Sequence, residues 1–486
     1  MGNVLNGLQP SALWSIFESI CGIPHPSKHE EKIREYVLGW AKEHHLEFLV
    51  DEVGNVIIRK PATPGMENRK GIIMQAHLDM VPQKNNDTAH DFLIDPIKPR
   101  IDGEWVTATG TTLGADNGVG MAAAMAVLEA TDLVHGPLEI LLTVDEETGM
   151  TGAFGLKPGL LNGEILLNLD TEEEGDLCVG CAGGTNGNAK FHYTEEPVSG
   201  DLQAYKVIVK GLNGGHSGVD IHLERGNSNK ILNRILWFAN KNLGLRLSSI
   251  DGGSLRNAIP RESFAIVTLP KANCDAFLKF VGEFTAIVKN EYKGVENDIT
   301  IISEPTALPS FLIDNKTTTN LLNAVYALPN GVMRDSQDMK GLVETSTNLA
   351  IVKSHDKVID VMCLLRSSVD SAKEDLENMM AGVFSLAGAE YVFDGKYPGW
   401  KPNMDSAILK EMVAAYEKQF GAKAHISAIH AGLECGLLGG VYKNWDMISF
   451  GPTICFPHSP AEKVNIPSVK KFWDFLVETL KNAPSK

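Results

Sequence analysis

The sequence predicts an α/β fold in which a mostly parallel sheet is covered by helices and interrupted by an inserted α+β domain. Three observations predict it. Helical and strand-like stretches alternate through the first third of the chain, the pattern changes over residues 186–399, and alternation returns from Met404 onwards. At 486 residues, 43% of them hydrophobic, the chain suits two or more domains better than one. The expected division is 1–185 together with 400–486 as one domain, and 186–399 as the insert.

Taken in order, residues 30–43 have helical periodicity, and GIIMQAHLDM is an apolar run that ends in His77 and Asp79. GMAAAMAVLEA reads as a helix of small residues. LEILLTVDEETG and ILLNLD are further strands, ending in Glu146 with Glu147 and in Asp170. Strands alternating with helices form a largely parallel sheet, and active groups gather at the carboxyl ends of such strands. The insert reads strand, helix, two strands, helix, strand, and the order runs twice. AYKVIVKG, NKILNRILWFANKN, SLRNAIPRESFAIVTLP and CDAFLKFVGEFTAIVKNEY form the first pass. TTNLLNAVYAL, TSTNLAIVKSHDKVIDVMCLLRSS and KEDLENMMAGVFSLA form the second, so an internal duplication is expected. Asn257 and Asn348 fall at comparable points, each before a hairpin.

Composition narrows the function. A formal charge of -17 argues against nucleic acid or an anionic membrane as the main partner. The N-terminus lacks the basic start and unbroken apolar stretch of a secretory signal, and Asn6 stands where myristoylation wants Ser or Thr. No run is apolar enough to span a bilayer, so a soluble, cytoplasmic protein is expected. Seven cysteines fit a reducing compartment. CVGC has C-x-x-C spacing but is followed by AGGTNG, which reads as a turn, and no second pair follows; its cysteines read as structural.

The chemistry lies in His77, Asp79, Asp116, Glu146, Glu147, Asp170 and His458. On a strand, His77 and Asp79 share a face, so the carboxylate can orient an imidazole that binds metal. Asp116, in GTTLGADNGVG, is by itself an ordinary helix cap. A carboxylate there can also share its oxygens between two cations. Glu146 and Glu147 taken alone are solvated acids at a strand end. In a two-metal site one binds metal while the other moves a proton. His458 sits in a Pro-bounded loop, whereas His25, His29, His44, His45 and His90 read as surface residues.

QAHLDMVP, TLGADNGVG, TVDEETGMTG, the Asp of LNLD and FPHSPAE resemble, in order, the motifs of the M20 metallopeptidase family. The whole chain is most similar to that family's branch of cytosol non-specific and aminoacyl-histidine dipeptidases. The resemblance implies a di-metal hydrolase domain carrying a lid, and hydrolysis of unblocked dipeptides, Xaa-His among them. It implies two divalent cations, Zn(II) first, with Co(II) or Mn(II) as alternatives. His77, Asp116 and Asp170 would form one metal set, and Asp116, Glu147 and His458 the other, with Asp116 bridging. Glu146 would be the general base and Asp79 the residue that orients His77. LNGGHSGVDIH resembles the lid motif, which makes His216 the candidate to polarise the scissile carbonyl. Asn257 and Arg366 would hold the substrate's backbone and free carboxylate, although a turn residue and a surface ion pair explain them as well. HAGLECG, with His430 and Glu434, also resembles the branch without assigning either residue a role. An N-acyl amino acid amidase or carboxypeptidase-like hydrolase of the same family is the alternative reading. A homodimer is compatible with it, because in shorter relatives the lid His reaches across a dimer.

Overall fold

IIMQAH, LEILLT and ILLN are buried along their whole length and become neighbouring strands. Runs that are apolar on both faces suit a parallel sheet flanked by helices, where neither face meets water. The computed structural model describes residues 4–486; residues 1–3, where the reading of the N-terminal signal begins, lie outside them. The first sheet has eight strands. Six are β1 (Glu47–Val50), β2 (Val56–Lys60), β3 (Ile72–His77), β4 (Leu138–Thr143), β5 (Ile165–Asn168) and β6 (Asp176–Cys181). Asp446–Ser449 and His425–Ile429 return from the end of the chain to complete the order β1-β2-β4-β3-β5, Asp446–Ser449, β6, His425–Ile429.

Four central strands, β4, β3, β5 and Asp446–Ser449, run parallel. β1, β2 and β6 pair antiparallel, so the sheet is parallel at its centre and mixed overall. Helices α1 (Ser11–Cys21), α2 (Glu31–Glu43) and α3 (Ala115–Glu129) belong to the same unit. Small residues let α3 be buried all round: at Gly118 an added Cβ would lie 3.1 Å from the Phe17 ring of α1. This unit comprises the chain up to Gly180 with Pro402–Ala428 and Leu433–Lys486; a second holds Cys181–Lys401 and Ile429–Gly432.

The second unit is built on a nine-stranded antiparallel sheet. Its main strands are β7 (Gly183–His192), β8 (Leu202–Lys210), β9 (Arg246–Gly252), β10 (Ser263–Pro270), β11 (Thr300–Thr306), β12 (Val343–His355), β13 (Val358–Ser367) and β14 (Glu390–Tyr397). Gly331–Asp335 adds a ninth beside β12. Helices α4 (Ser228–Leu243), α5 (Cys274–Glu291), α6 (Asn315–Ala327) and α7 (Asp370–Leu386) pack on the sheet through one core that includes Ile235, Phe277, Leu321 and Phe384. α4 is closed at both ends as its sequence suggests: Asn227 accepts from Lys230 N–H, and Gly244 takes the left-handed conformation.

The strand order is β11-β8-β10-β9-β12-β13-β7-β14. It is two βαββαβ units set edge to edge, β8-α4-β9-β10-α5-β11 and β7-α6-β12-β13-α7-β14, with β9 against β12. The duplication is real, but the second copy takes its first strand from before the first copy. AGGTNG, which reads as a turn, in fact opens β7. Glycine is needed there because a Cβ at Gly184 would lie 2.6 Å from the Tyr397 ring of β14. Asn348 is likewise not before a hairpin but inside β12, donating to the carbonyls of Arg256 and Ala258. Among the described residues, no helix is long and apolar enough to cross a membrane.

Candidate metal centre

β3 ends at His77, and Asp79 lies just beyond it. The imidazole Nδ1 donates to the main-chain carbonyl of Asp79 at 2.9 Å, with that residue's carboxylate 3.4 Å away. Asp79 thus orients the ring mainly through its backbone. Its carboxylate has a second task, because it accepts the N–H groups of Glu146 at 3.0 Å and Glu147 at 3.2 Å. The two glutamates are not at a strand end: β4 stops at Thr143, and they open a short helix, Glu146–Gly149. That turn explains how adjacent side chains diverge. Burial opposes ionisation of Asp79, yet His77, Ser27 and the Glu146 N–H hold its carboxyl down at about 2.

Asp116 sits at the start of α3 with non-helical backbone angles and lies between the two histidines. Its Oδ1 is 3.1 Å from His77 Nε2, and its Oδ2 is 3.0 Å from His458 Nε2. Asp170, two residues past β5, is 3.5 Å from His77 Nε2, and Glu147 Oε1 is 3.0 Å from His458 Nε2. Donor atoms within 4.8 Å of one another group as His77–Asp116–Asp170, as Asp116–Glu147–His458, and as His77–Glu146–Glu147. All five candidate ligands therefore meet in one place, with one oxygen of Asp116 towards each set.

The donor set fits a pair of cations. Burial pulls the His77 imidazole down, but Asp170, Asp116 and Asp79 outweigh it and hold the pKa well above the ordinary value. The carboxylates of Asp116 and Glu147, each 3.0 Å from its Nε2, push His458 up to about 11. Burial raises Glu146, Glu147 and Asp170. Carboxylates thus crowd round the two imidazoles, so positive charge is favoured at this place. Glu147 Oε1 is buried without an aligned hydrogen-bond donor, as an atom reserved for a cation would be. A nearby trio, Glu30, Asp79 and Asp145, differs because its oxygens are occupied by Ser27, Thr148, Thr151 and main-chain N–H groups.

Sequence reasoning missed several supporting residues. Asn117 donates to Asp170 Oδ1 and to the Leu169 carbonyl. Glu462 accepts from the N–H groups of Leu113, Gly114, Ala115 and Asp116. Glu434, singled out in the sequence without a role, takes Gln75 Nε2 at 2.6 Å and Thr143 Oγ at 2.8 Å on one oxygen. Asn117 and Glu462 stand one and four residues from candidate ligands, and that proximity was the only available signal. His25, read as a surface residue, is 2% exposed, and burial lowers its pKa.

In the second unit, His216 Nδ1 accepts the N–H groups of Gly218 and Val219, at 3.2 and 3.0 Å. The neutral ring's proton is thereby placed on Nε2, and burial with Arg366 nearby lowers the pKa, which favours that neutral form. Asn257 is exposed and acts through its carbonyl, which accepts from Ser217 N–H at 2.8 Å. Arg366 is no surface ion pair. It is 5% exposed, its Nε has no acceptor, and among the described residues no carboxylate pairs with it; Tyr397 Oη lies 3.4 Å from Nη1. His430 is buried with Nε2 2.7 Å from Ser346 Oγ, and burial with Arg366 pushes its pKa down to about 3.

The sequence model of Peptidase family M20/M25/M40 matches residues 73–482. A cytosol non-specific dipeptidase from Escherichia coli is 48% identical over 482 residues, covering 99% of each chain. The crystal structure of an aminoacylhistidine dipeptidase from Vibrio alginolyticus superposes with a TM-score of 0.96 at 50% identity, over 99% of this chain and 98% of that one. An aminopeptidase from Bacillus cereus, 16% identical, shares the fold with a TM-score of 0.57 over 98% of both chains. The chain belongs to peptidase family M20/M25/M40.

Proposed function

We propose that the protein is a di-metal dipeptidase that hydrolyses the peptide bond of unblocked dipeptides, Xaa-His among them. The observation that carries this reading is the convergence of His77, Asp116, Glu147, Asp170 and His458 in two sets sharing Asp116, with Glu146 beside them. The names and near full-length similarity of the two dipeptidase relatives support the substrate class. Imidazole and carboxylate donors suit Zn(II) first, with Co(II) or Mn(II) also compatible. Bound there, the cations would lower the pKa of a water and polarise the scissile carbonyl.

Glu146 is the proton carrier. Its carboxylate takes the proton of the attacking water and delivers it to the leaving amine nitrogen as the C–N bond breaks. Asp79 fixes the turn that aims it, through the N–H groups of both glutamates. Neutral His216 offers its Nε2–H to the carbonyl oxygen as negative charge develops. Arg366, buried without a counter-ion, takes the free carboxylate of the dipeptide; an unpaired buried charge is costly until an anion arrives. Asn257 holds the substrate backbone in this reading. The chain up to Gly180 with Pro402–Ala428 and Leu433–Lys486 forms the catalytic domain and Cys181–Lys401 with Ile429–Gly432 the lid; a homodimer is compatible with this chemistry, and the enzyme works in the cytoplasm.

The test is hydrolysis of an Xaa-His dipeptide beside its N-acetylated counterpart. Cleavage of the free dipeptide with at least about tenfold preference is expected. Preferred cleavage of the acetylated compound would assign the protein to the amidase reading instead.

A further inference from the structure

Glu462 carries a geometry that the peptidase reading leaves unused. It is 2% exposed, and its two oxygens accept four consecutive main-chain N–H groups. Oε2 takes Leu113 at 2.7 Å and Gly114 at 3.0 Å, while Oε1 takes Ala115 at 2.7 Å and Asp116 at 3.2 Å. These donors precede or open α3, where no earlier helical turn supplies acceptors. One carboxylate, roughly 350 residues away in sequence, satisfies all four.

The same residue closes the loop that presents His458. Phe456 and His458 both adopt left-handed backbone conformations, at φ 57° and 58°, which non-glycine residues hold only when their surroundings fix them. Ser459 Oγ donates to the Phe456 carbonyl, Glu462 N–H to the Ser459 carbonyl, and Thr107 Oγ to the Glu462 carbonyl at 2.8 Å. Glu462 therefore ties the His458 loop to the main chain of Asp116.

We propose that Glu462 is a positioning residue that sets metal affinity by holding the shared ligand Asp116 and the ligand His458 in register. The inference rests on the reading that these two residues bind a common cation. Ligands must be held to within about 0.5 Å for a site to form without reorganisation, and four charge-assisted bonds to one peptide segment provide that constraint.

The test uses the full chain, with Zn(II) affinity measured by competition against a chromophoric chelator and the melting temperature of the metal-free protein measured alongside. Glu462→Gln keeps one acceptor oxygen and turns an NH2 group towards N–H donors. It is expected to weaken Zn(II) binding about 10–100-fold. Glu462→Asp, which keeps the charge but is one methylene shorter, is expected to fall between that variant and the parent. If Glu462→Gln does not fold, Glu462→Asp alone decides, by the same criterion. Parent-like Zn(II) affinity in the deciding variant, with only a lower metal-free melting temperature, would overturn the inference and leave Glu462 a structural residue. Failure of the parent protein itself to bind Zn(II) would instead overturn the metal reading beneath it.

Discussion

Asp79 shows how much of this site is main-chain chemistry that side-chain motifs do not express. The HxD spacing predicts a carboxylate that orients His77, yet the carbonyl of Asp79 makes the hydrogen bond while its carboxylate caps the turn of Glu146 and Glu147. The candidate ligands themselves were legible because His and acidic residues ending apolar runs are informative by type and position. Glu462 and Asn117 were not, since their partners are backbone groups and a neighbouring carboxylate that only the fold brings near. Glu146→Gln is expected to lower kcat about 10²–10⁴-fold while two Zn(II) still bind, read by steady-state kinetics and metal analysis together. His430 makes a pH prediction. Its pKa is about 3 in the fold against an ordinary 6.5, so the unfolded chain binds the extra proton first as pH falls. Stability from this group is full above about 6.5 and declines as pH drops towards about 3. His430→Gln is expected to flatten that part of a urea-midpoint profile recorded in chelator, and an unchanged slope would count against it.

Elements were legible where their periodicity is simple. β3, β4 and β5 are uninterrupted apolar runs, and the helices of the second unit carry clear 3.6-residue spacing. The polar members of those strands were harder to interpret. Ser449 donates to Asn168, Asn168 to Gln75, and Gln75 to Glu434, forming a buried band across Asp446–Ser449, β5 and β3 beside the strand ends that carry the ligands. In sequence each is a lone polar residue in an apolar run. Glu434→Ala would remove the acceptor that Gln75 and Thr143 share, leaving only their longer bonds to Thr143 Oγ1 at 3.2 Å and the Ala76 carbonyl at 3.3 Å, and open a small cavity. A loss of about 2–4 kcal/mol is expected in urea unfolding of the metal-free protein. β7 was hidden for a different reason: its glycines read as a turn but serve close packing. Gly184→Ala should drive a methyl into the Tyr397 ring and cost about 1–3 kcal/mol, measured in the same way.

At the scale of the molecule, the duplicated sheet of the second unit explains why its repeat is faint. The two copies meet at β9 and β12, but one is interleaved around the other along the chain, so no fixed period survives in the sequence. The first unit is discontinuous as well, since His458 comes from the returning segment and meets Asp116 342 residues earlier. Metals that bind across such a junction stabilise only the folded chain. Zn(II) at about 100 times its dissociation constant should add about 2.7 kcal/mol per independent site, raising the melting temperature reversibly on addition and lowering it on chelation. The most direct test of the central claim is to strip the purified protein with chelator and return Zn(II) in steps during hydrolysis of an Xaa-His dipeptide. A two-metal peptidase predicts no turnover in the stripped protein and a plateau at two equivalents per chain. Undiminished turnover without metal, or a plateau at one equivalent with the second bound and inert, would contradict it.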